Sequence, residues 1–360
     1  MEAKVQKVLN KIEEHGYEAY VVGGYVRDHL LGIETTDIDI CTNALPKDVM
    51  AIFELPTNHT YGSVSFTLGK YNFDITTYRS EAGYDKRKPT EVEYVNSLIT
   101  DLKRRDFTIN ALCMNSSGVI IDLLNGREAL DNRIICSIGD VEKKFTEDPL
   151  RILRAIRFSI TLDFELSQDI LKFINERKEL IKTLSYYRKQ EEINRIISCK
   201  NAELGLRTLQ ELGLLELLEI SYDANLVIVP DILGIWAQMT YSDAYPFTKS
   251  STETIKAIRK ILARGIIDNL TLFNYSLYIS TVAGEILGID RATITSMNAN
   301  LPLKSAKDLA INSKDIFEIL ELEPSPKVKV IYNDVLERIL TQELENDYEK
   351  IKEYLINKWK

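Results

Sequence analysis

The sequence predicts an α+β protein, with a small mixed sheet and helices in about the first 140 residues and helices alone in the remainder. Two observations lead to this prediction. Short apolar runs with the period-2 alternation of strands, separated by glycine-containing turns, recur up to about residue 140. From about Val141 onward, segments with the 3.6-residue period of amphipathic helices replace them. This change of period places a domain boundary near residue 140.

The individual elements follow from the same two periods. In the first part, the sequence predicts helices over 1–16, 24–32 and 46–53, and strands over 17–22, 37–40, 63–69, 71–79 and 92–95. The polar stretch 80–90, which contains Gly and Pro, predicts a mobile loop. A helix from Ile99 to Asn115 follows, then a strand over 118–124 and a turn and strand over 125–139. The later helices are predicted over 147–160, 167–183, 186–198 and 202–216.

Length and composition are those of a globular protein with more than one domain. The chain has 360 residues, of which 45% are hydrophobic and 28% charged. The formal net charge of −9 argues against a nucleic-acid partner when it is averaged over the chain. Residues 151–200, however, contain 11 Lys and Arg against 7 Asp and Glu. We therefore expect a local basic surface on an acidic protein.

Cysteine spacing and the first residues indicate a cytoplasmic protein. The stretch 1–16 is charged and amphipathic rather than signal-like, and no apolar run approaches the roughly 20 residues of a membrane span. The cysteines lie far apart without a C-x-x-C pair, so we expect reduced thiols and no zinc site. They are Cys41, Cys113, Cys136 and Cys199. His15, His29 and His59 lack metal-ligand spacing and are expected at the surface or at helix caps.

A glycine pair separates the first strand from the second helix. The bare amides of Gly23 and Gly24, at the start of a helix, can approach a phosphate closely. Arg27 lies one turn into that helix, where its guanidinium can reach a phosphate held at the helix start. A plain structural turn is the alternative interpretation of the pair.

Paired carboxylates follow on the next strand. Because side chains alternate along a strand, Asp37 and Asp39 lie on one face and the isoleucines on the other. Two neighbouring carboxylates repel each other unless a divalent cation lies between them, as in metal-assisted phosphoryl transfer. Asp74, within the apolar run Phe73-Asp74-Ile75, is the candidate for a third carboxylate. Solvated acids at strand ends are the alternative interpretation.

Further charged residues are spaced as if on helices. In the stretch Arg104–Asn110, the spacing places Arg105 and Asp106 one helical turn from Asn110. Downstream, four charged residues recur at every third position and predict a stripe on one helix face, opposite the apolar Leu153, Ile156 and Ile160. The stripe consists of Asp148, Arg151, Arg154 and Arg157. An N-cap followed by a solvated helix face is the alternative interpretation.

Five segments, in this order, resemble the motifs of one family: GGYVRD, DIDI, DITTYR, RRDFTINAL and EDPLRILRAIRF. The family is that of the bacterial-type (class II) CCA-adding enzymes, which are tRNA nucleotidyltransferases related to bacterial poly(A) polymerases. The resemblance covers residues 18–200 most strongly. It implies a polymerase-β-like nucleotidyltransferase head over 1–140, then an all-α neck over 141–200, body over 201–270 and tRNA-binding tail over 271–360. In the tail, the chain has Asn312-Ser313 and Pro324-Ser325-Pro326 where the family often has glycines.

The resemblance also implies roles for the residues in these motifs. Asp37 and Asp39 would bind Mg²⁺, with Asp74 completing the catalytic carboxylates. The triphosphate would contact Gly23, Gly24, Arg27 and Arg105. Asp106 and Asn110 would contact the ribose, and Asp148 and Arg151 would read the base, with Arg154 and Arg157 supporting this pair or binding phosphate. The loop 80–90 resembles the flexible loop with which full CCA-adding members switch from C to A.

The chemistry of the bases fits an Asp–Arg pair. Cytosine and adenine each present an exocyclic amine beside a ring-nitrogen acceptor, whereas guanine and uracil present a carbonyl in place of the amine. A carboxylate accepts from the amine while a guanidinium donates to the ring nitrogen. We therefore expect template-independent, two-metal addition of CCA to tRNA 3′ ends from CTP and ATP. The alternatives are CC-adding, A-adding or poly(A)-adding enzymes of the same fold, and, more remotely, a non-catalytic RNA-binding protein.

Overall fold

The computed structural model describes residues 2–55, 62–85, 88–323 and 325–360, and only the backbone is described over 82–85 and 88–91. Predictions that concern His59, Lys86, Arg87 and Pro324 lie outside these residues. The chain forms two compact units, Met1–Glu219 and Ile220–Lys360. The division into head, neck, body and tail is finer than these two units and stays a prediction.

The strands of the first unit form a six-stranded mixed sheet, a hairpin and a short parallel pair. Their bounds are β1 (Ala19–Val22), β2 (Asp37–Thr42), β3 (Ser63–Leu68), β4 (Tyr71–Thr77), β5 (Arg79–Asp85), β6 (Lys88–Tyr94), β7 (Cys113–Met114), β8 (Ile120–Ile121), β9 (Ile134–Ile135) and β10 (Glu165–Leu166). The sheet order is β3-β4-β2-β1-β7-β8. β2 and β4 run parallel, and the other neighbours run antiparallel.

The helices of the first unit surround this sheet and continue beyond it. They are α1 (Ala3–Glu13), α2 (Gly24–Leu31), α3 (Pro46–Phe53), α4 (Leu98–Lys103), α5 (Gly126–Asp131), α6 (Val141–Glu147), α7 (Leu150–Leu162), α8 (Gln168–Arg177), α9 (Tyr186–Ile197), α10 (Ala202–Glu211) and α11 (Leu214–Leu217). The predicted packing side of α7 is confirmed, because Leu153, Ile156 and Ile160 are buried. Their spacing of three and four residues keeps them on one face.

The second unit is mainly helical and has its own core. It contains β11 (Ile220–Tyr222), β12 (Met239–Tyr241), α12 (Ile232–Ala237), α13 (Lys249–Arg264), α14 (Asn269–Asn274), α15 (Leu277–Ile286), α16 (Arg291–Ala299), α17 (Ser313–Leu320), α18 (Pro326–Leu340) and α19 (Tyr348–Trp359). Ile316, Ile331, Val335 and Ile351 are fully buried at the centre of one apolar cluster. In the parts of the chain described, no helix is both long and apolar enough to cross a bilayer. The α+β fold class predicted from the sequence is confirmed.

The predicted helix from Ile99 to Asn115 is wrong beyond α4. After Lys103 the backbone becomes extended at Phe107, forms a single 3₁₀ turn over Thr108–Asn110, and enters β7. Tertiary packing overrides the helical pattern here. The Phe107 ring is fully buried and meets Phe145 and Phe158 edge to face. Asp106 and Asn110 therefore lie on a turn rather than on one face of a helix.

Two further segments differ from the prediction. The stretch 80–90, expected to be a loop, contributes to the antiparallel hairpin of β5 and β6, in which Glu81 is paired with Val92. Backbone pairing satisfies the amides that a loop would leave to water. Residues 125–139, expected to be a turn and strand, contain α5 before the short β9. Short strands also occur beyond residue 141, as β10, β11 and β12.

The predicted continuous helix over 147–160 is broken at Asp148 and Pro149. Asp148 has an extended backbone (φ −138°, ψ 90°) between α6 and α7. Pro149 explains the break, because its ring clashes with a preceding helical turn and restricts the residue before it. Asp148 therefore does not lie on the helix face that carries the three arginines. The predicted stripe of four charged residues on one helix face is wrong.

Candidate active site

One cleft in the first unit collects most of the residues singled out from the sequence. It has a volume of about 680 Å³, within the usual range for small-molecule sites. Its lining includes Gly23, Gly24, Arg27, Asp37, Asp39, Arg105, Asp106, Asn110, Asp148, Arg151, Arg154 and Arg157. Among the described residues, eight arginines and no lysine or histidine line this cleft. These eight arginines outnumber the five acids of the lining, so the cleft carries a net positive charge that favours anionic ligands.

The Gly23-Gly24 turn lies close to Asp39 of the acid pair. Gly23 has φ +80°, and a Cβ atom placed there would lie 3.2 Å from Asp39 Oδ2 and 3.7 Å from Arg105 Nη1. A side chain at Gly23 would therefore meet both backbone strain and Asp39. Antiparallel pairing of Val22 with Asp39 brings the turn to this position. The turn and the two carboxylates therefore line the same part of the cleft.

The carboxylates occupy neighbouring strands. Asp37 and Asp39 are both exposed on one face of β2, and Asp39 is paired with Asp74 on the parallel strand β4. Asp39 is accessible from the cleft but has protein on most sides. Partial desolvation, with the charges of Asp74 and Asp37, raises its pKa against the opposing effect of Arg105. A cation at this position would relieve the repulsion.

Asp74 lies beside Asp39 but outside the cleft lining. Its carboxylate accepts hydrogen bonds from the Ser63 and Ser65 hydroxyls of β3. Burial raises its pKa, while Ser65 and Arg79 oppose the increase. Among the described residues, no group of three or more His, Cys, Asp or Glu side chains is placed to hold a metal ion. The candidate metal ligands are therefore the pair Asp37 and Asp39.

A chain of polar contacts joins α2, the 106–110 turn and α7. Arg27 Nη1 donates to Asn110 Oδ1 at 2.7 Å, and Asn110 Nδ2 donates to Asp106 Oδ1 at 3.3 Å. Arg154 Nε donates to Asp106 Oδ2 at 2.8 Å. Burial alone would raise the pKa of Asp106, but Arg154 and the other donors hold it below its ordinary value. Asp106 is thus a charged acceptor fixed from both sides.

Glu192, a buried acid on α9, contacts three arginines of the cleft. Glu192 Oε2 accepts from Arg157 Nε at 2.6 Å, and Glu192 Oε1 lies 4.0 Å from Arg154 Nη1 and 3.6 Å from Arg195 Nη1. The Phe158 ring lies beneath two of these cations, with Arg157 Cζ 4.0 Å and Arg154 Cζ 5.5 Å from its centroid. Such contacts stabilise a guanidinium that has lost solvent.

Asp148 and Arg151 lie together at the start of α7. Asp148 Oδ1 accepts from the Leu150 amide at 3.1 Å, but the N-cap of α7 is Pro149 and not Asp148 as the alternative interpretation expected. Arg151 Nη1 donates to the Lys144 carbonyl at 2.8 Å, and its Nη2 donates to the Arg104 carbonyl at 3.4 Å. The guanidinium is buried and held by backbone, which fixes its direction beside Asp148.

Comparison with known proteins places this arrangement in a family. Three family models match parts of the chain: "Poly A polymerase head domain" at 19–136, "Probable RNA and SrmB-binding site of polymerase A" at 163–222, and "tRNA nucleotidyltransferase domain 2 putative" at 238–355. A CCA-adding enzyme of Geobacillus sp. (strain WCH70) is 32% identical, over 99% of this chain and 96% of that protein. The chain belongs to the CCA-adding enzyme family.

Two other members show the same extent of similarity. The CCA-adding enzyme of Lactococcus lactis subsp. lactis (strain IL1403) is 33% identical over 96% of this chain and 94% of that protein. The crystal structure of the Bacillus stearothermophilus CCA-adding enzyme in complex with CTP matches with a TM-score of 0.86 and 30% identity. That match covers 99% of this chain and 98% of the other. Sequence and fold therefore agree over essentially the whole length.

Several cleft residues of this CCA-adding family member escaped the sequence analysis. They are Arg79, Glu81, Arg104, Leu150, Phe158 and Arg195. Arg104 Nε donates to the fully buried Asp101 at 2.8 Å and approaches Glu81 at 3.3 Å. Acids such as Asp101 and Glu192 look like ordinary helix surface residues in the sequence. Only tertiary packing shows that they are buried against arginines.

Proposed function

We propose that this chain adds CCA to the 3′ ends of tRNA from CTP and ATP, without a nucleic-acid template and with release of pyrophosphate. The observation that carries the proposal is a single cleft that combines Asp37 and Asp39 with Asp148 and Arg151. An acid pair suits nucleotidyl transfer, and an Asp–Arg pair suits selection of cytosine and adenine. The similarity to CCA-adding enzymes over 99% of the chain supports both assignments.

Base selection belongs to Asp148 and Arg151 in this proposal. The carboxylate accepts from N4 of cytosine or N6 of adenine, and the guanidinium donates to N3 or N1. Arg151 donates hydrogen bonds from Nη1 and Nη2 to two backbone carbonyls. Its guanidinium has five N–H groups, so others remain for the base. Guanine and uracil would place a carbonyl against the carboxylate, and that unpaired contact rejects them.

The sugar and phosphates take the remaining assigned residues. Asp106 and Asn110, held between Arg27 and Arg154, contact the ribose hydroxyls. Gly23 and Gly24 offer backbone amides to the triphosphate, with Arg27 and Arg105 providing charge. Arg105 Nε is buried and makes no hydrogen bond within the described part of the chain, so it has donor capacity left for phosphate. Arg154 and Arg157 support this arrangement.

Members of the family use divalent metals, and we propose Mg²⁺ held by Asp37 and Asp39. Two carboxylates on one strand face, one of them with a raised pKa, form a donor set suited to this hard cation. Bound there as a pair of ions, the metal would neutralise phosphate charge and favour ionisation of the RNA 3′-hydroxyl. Asp74, fixed by Ser63 and Ser65, acts as the third catalytic carboxylate beside Asp39.

We also propose that the activity is cytoplasmic. Cys41, Cys113, Cys136 and Cys199 are all free thiols in the structure. Cys41 and Cys113 are fully buried within the apolar core cluster that underlies β1 and β2. Unpaired cysteines at such positions suit a reducing compartment, which is also where tRNA is charged and used.

The proposal is tested by incubating the purified protein with tRNA ending at the discriminator base and labelled CTP, ATP or both. We expect addition of CC from CTP alone, CCA from both, and no extension with GTP or UTP. Removing divalent cations with EDTA should stop incorporation, and Asp37→Asn should lower the rate roughly thousandfold. Asp131→Asn, which changes an exposed acid of α5 paired with Arg127, is the matched control and should retain activity. Products limited to CC or to A, or a poly(A) tail, would each contradict the proposal.

A further inference from the structure

The outer wall of the cleft carries an arginine without an assigned role. Arg195 projects from α9 and lines the cleft together with Arg157 and Phe158 of α7. The residues proposed for the triphosphate, ribose and base lie on α2, on the 104–110 segment and at the start of α7. These residues account for every part of the nucleotide. The part of the cleft near Arg195 is therefore available to the second substrate of the proposed reaction, the RNA.

Charge at this wall is unbalanced. The single carboxylate of Glu192 is shared by three guanidiniums, those of Arg154, Arg157 and Arg195. Asp106 pairs with Arg154, but within the described part of the chain the other two arginines have only Glu192 as an acidic partner. Burial lowers the pKa of Arg157, and the positive charges of Arg154 and Arg195 lower it further against Glu192. Another anion at this position would relieve the repulsion.

Arg195 differs from the other cleft arginines in how it is held. Its side chain is 54% exposed, and its contact with Glu192 is 3.6 Å, longer than a hydrogen bond. Arg157, in contrast, is 11% exposed and donates to Glu192 at 2.6 Å. Arg151 and Arg154 are similarly fixed by carbonyls and by Asp106. Arg195 therefore keeps most of its donor capacity and freedom of movement for a ligand.

We propose that Arg195 binds a backbone phosphate of the RNA substrate close to its 3′ end. The inference rests on the proposed function, because it assigns the RNA to the part of the cleft that the nucleotide leaves open. A guanidinium binds phosphate through two parallel N–H···O contacts, and Arg157 adds charge without leaving Glu192. Arg195 is thus an RNA-binding residue that places the 3′-hydroxyl near Asp37 and Asp39.

The test measures binding of tRNA ending at the discriminator base to the full-length protein without nucleotide, across a range of salt concentrations. Arg195→Gln should weaken RNA binding about fivefold to tenfold at low salt and reduce the slope of log Kd against log salt by roughly 0.7 to 0.9. Binding of CTP alone should stay within about twofold of wild type. Arg195→Lys should restore part of the affinity and the full slope, because the charge remains.

Arg188→Gln is the matched control. Arg188 lies on the same helix, is 52% exposed, and pairs with an acid three residues away, Glu191 at 3.0 Å, but it does not line the cleft. Arg188→Gln should leave the affinity for tRNA and the slope of log Kd against log salt unchanged. Thermal melts should show that both variants fold. Unchanged RNA binding in Arg195→Gln, an equal loss in Arg188→Gln, or a loss confined to CTP would overturn the inference.

These outcomes separate the inference from the proposed function. A wild-type protein that binds tRNA through Arg195 but incorporates no nucleotide would refute CCA addition and leave the phosphate contact standing. A protein that adds CCA while Arg195→Gln binds RNA normally would refute the phosphate contact alone. A wild-type protein that binds no tRNA would refute both.

Discussion

Gly23 allows the turn after β1 to lie close to Asp39, a proposed metal ligand. Its φ of +80° is costly for other residues, and a Cβ atom would press on Asp39 Oδ2. Gly23→Ala should lower the free energy of unfolding by about 1 to 2 kcal/mol and should reduce kcat more than tenfold by displacing Asp39. Chemical denaturation and steady-state CTP incorporation measure the two effects.

Gly265→Ala is a control for the backbone strain in Gly23→Ala. Gly265 has a similar φ of +72° at the end of α13, and apart from its chain neighbours no described residue comes within 4 Å of the added Cβ position. Strain should therefore lower stability in both variants, but only Gly23→Ala should impair catalysis. Equal catalytic losses would show that the contact with Asp39 is unimportant.

Asp148 offers a separate prediction about selectivity. Asp148→Ala removes the proposed acceptor for the exocyclic amine, so discrimination against UTP and GTP should fall by roughly ten- to a hundredfold. Metal dependence should not change. Competition assays with paired nucleotides measure the ratio of kcat/KM values. Asp163→Ala, at the exposed other end of α7, serves as control. Unaltered selectivity in Asp148→Ala would refute the base-reading role.

At the scale of elements, an ion pair between Arg154 and the buried Asp106 joins α7 to the 106–110 turn, beside the packing of Phe107 on Phe158. Arg154→Met would leave Asp106 buried without its main partner and should cost about 3 kcal/mol of stability at pH 7. Because the pKa of Asp106 is lowered in the folded state, the pair contributes stability above the ordinary carboxyl range. That contribution is lost as the pH falls through the lowered value.

The stability of Arg154→Met should depend on pH in the opposite direction from the contribution of the ion pair. Without Arg154, burial raises the pKa of Asp106, so Arg154→Met should lose less stability at pH 5 than at pH 7. Urea denaturation at both pH values measures this. Arg133→Met breaks an exposed pair with Asp163 and should change stability by no more than about 0.5 kcal/mol. A pH-independent loss in Arg154→Met would argue against an ionised Asp106.

The same elements show how far sequence reasoning reaches. The strand–glycine turn–helix–strand order around Gly23 and Asp39 follows from local periods and was predicted, as was the apolar face of α7. The turn at Asp106 was not, because burial of Phe107 against α6 and α7 decides it. The break at Asp148 could be expected from Pro149, yet the three-residue spacing of four charged residues favoured a continuous helix. Roles for the individual site residues stay predictions.

At the scale of the whole molecule, each unit has its own core, and both tryptophans, Trp236 and Trp359, lie in the second unit. Asp334 joins α18 to α19 there. Its carboxylate accepts from Tyr354, from Lys358 Nζ at 2.8 Å and from Trp359 Nε1 at 3.1 Å. Burial opposes ionisation, but these donors lower the pKa of Asp334 to about 2.

Asp334→Asn should therefore destabilise the second unit in a pH-dependent way. The carboxylate is near the surface, so after solvent screening the loss is about 1 kcal/mol above pH 4, and it should vanish as the pH falls towards 2. Tryptophan fluorescence during urea unfolding follows this unit. Hydrogen exchange in residues 2–55 should not change. Lower protection of those amides would contradict the assignment of Asp334 to the second unit alone.

Among the described residues, every basic side chain that lines the cleft is an arginine, and this has a consequence for regulation. Acetyl donors and other acylating metabolites modify lysine amines, and each modification removes a positive charge. Guanidinium groups are not acylated in this way and remain charged at any physiological pH. Acylation of exposed lysines can therefore change the surface charge of this protein without removing any of the positive charge that arginines give the cleft. The charge proposed to hold the nucleotide would then not vary with metabolic acylation.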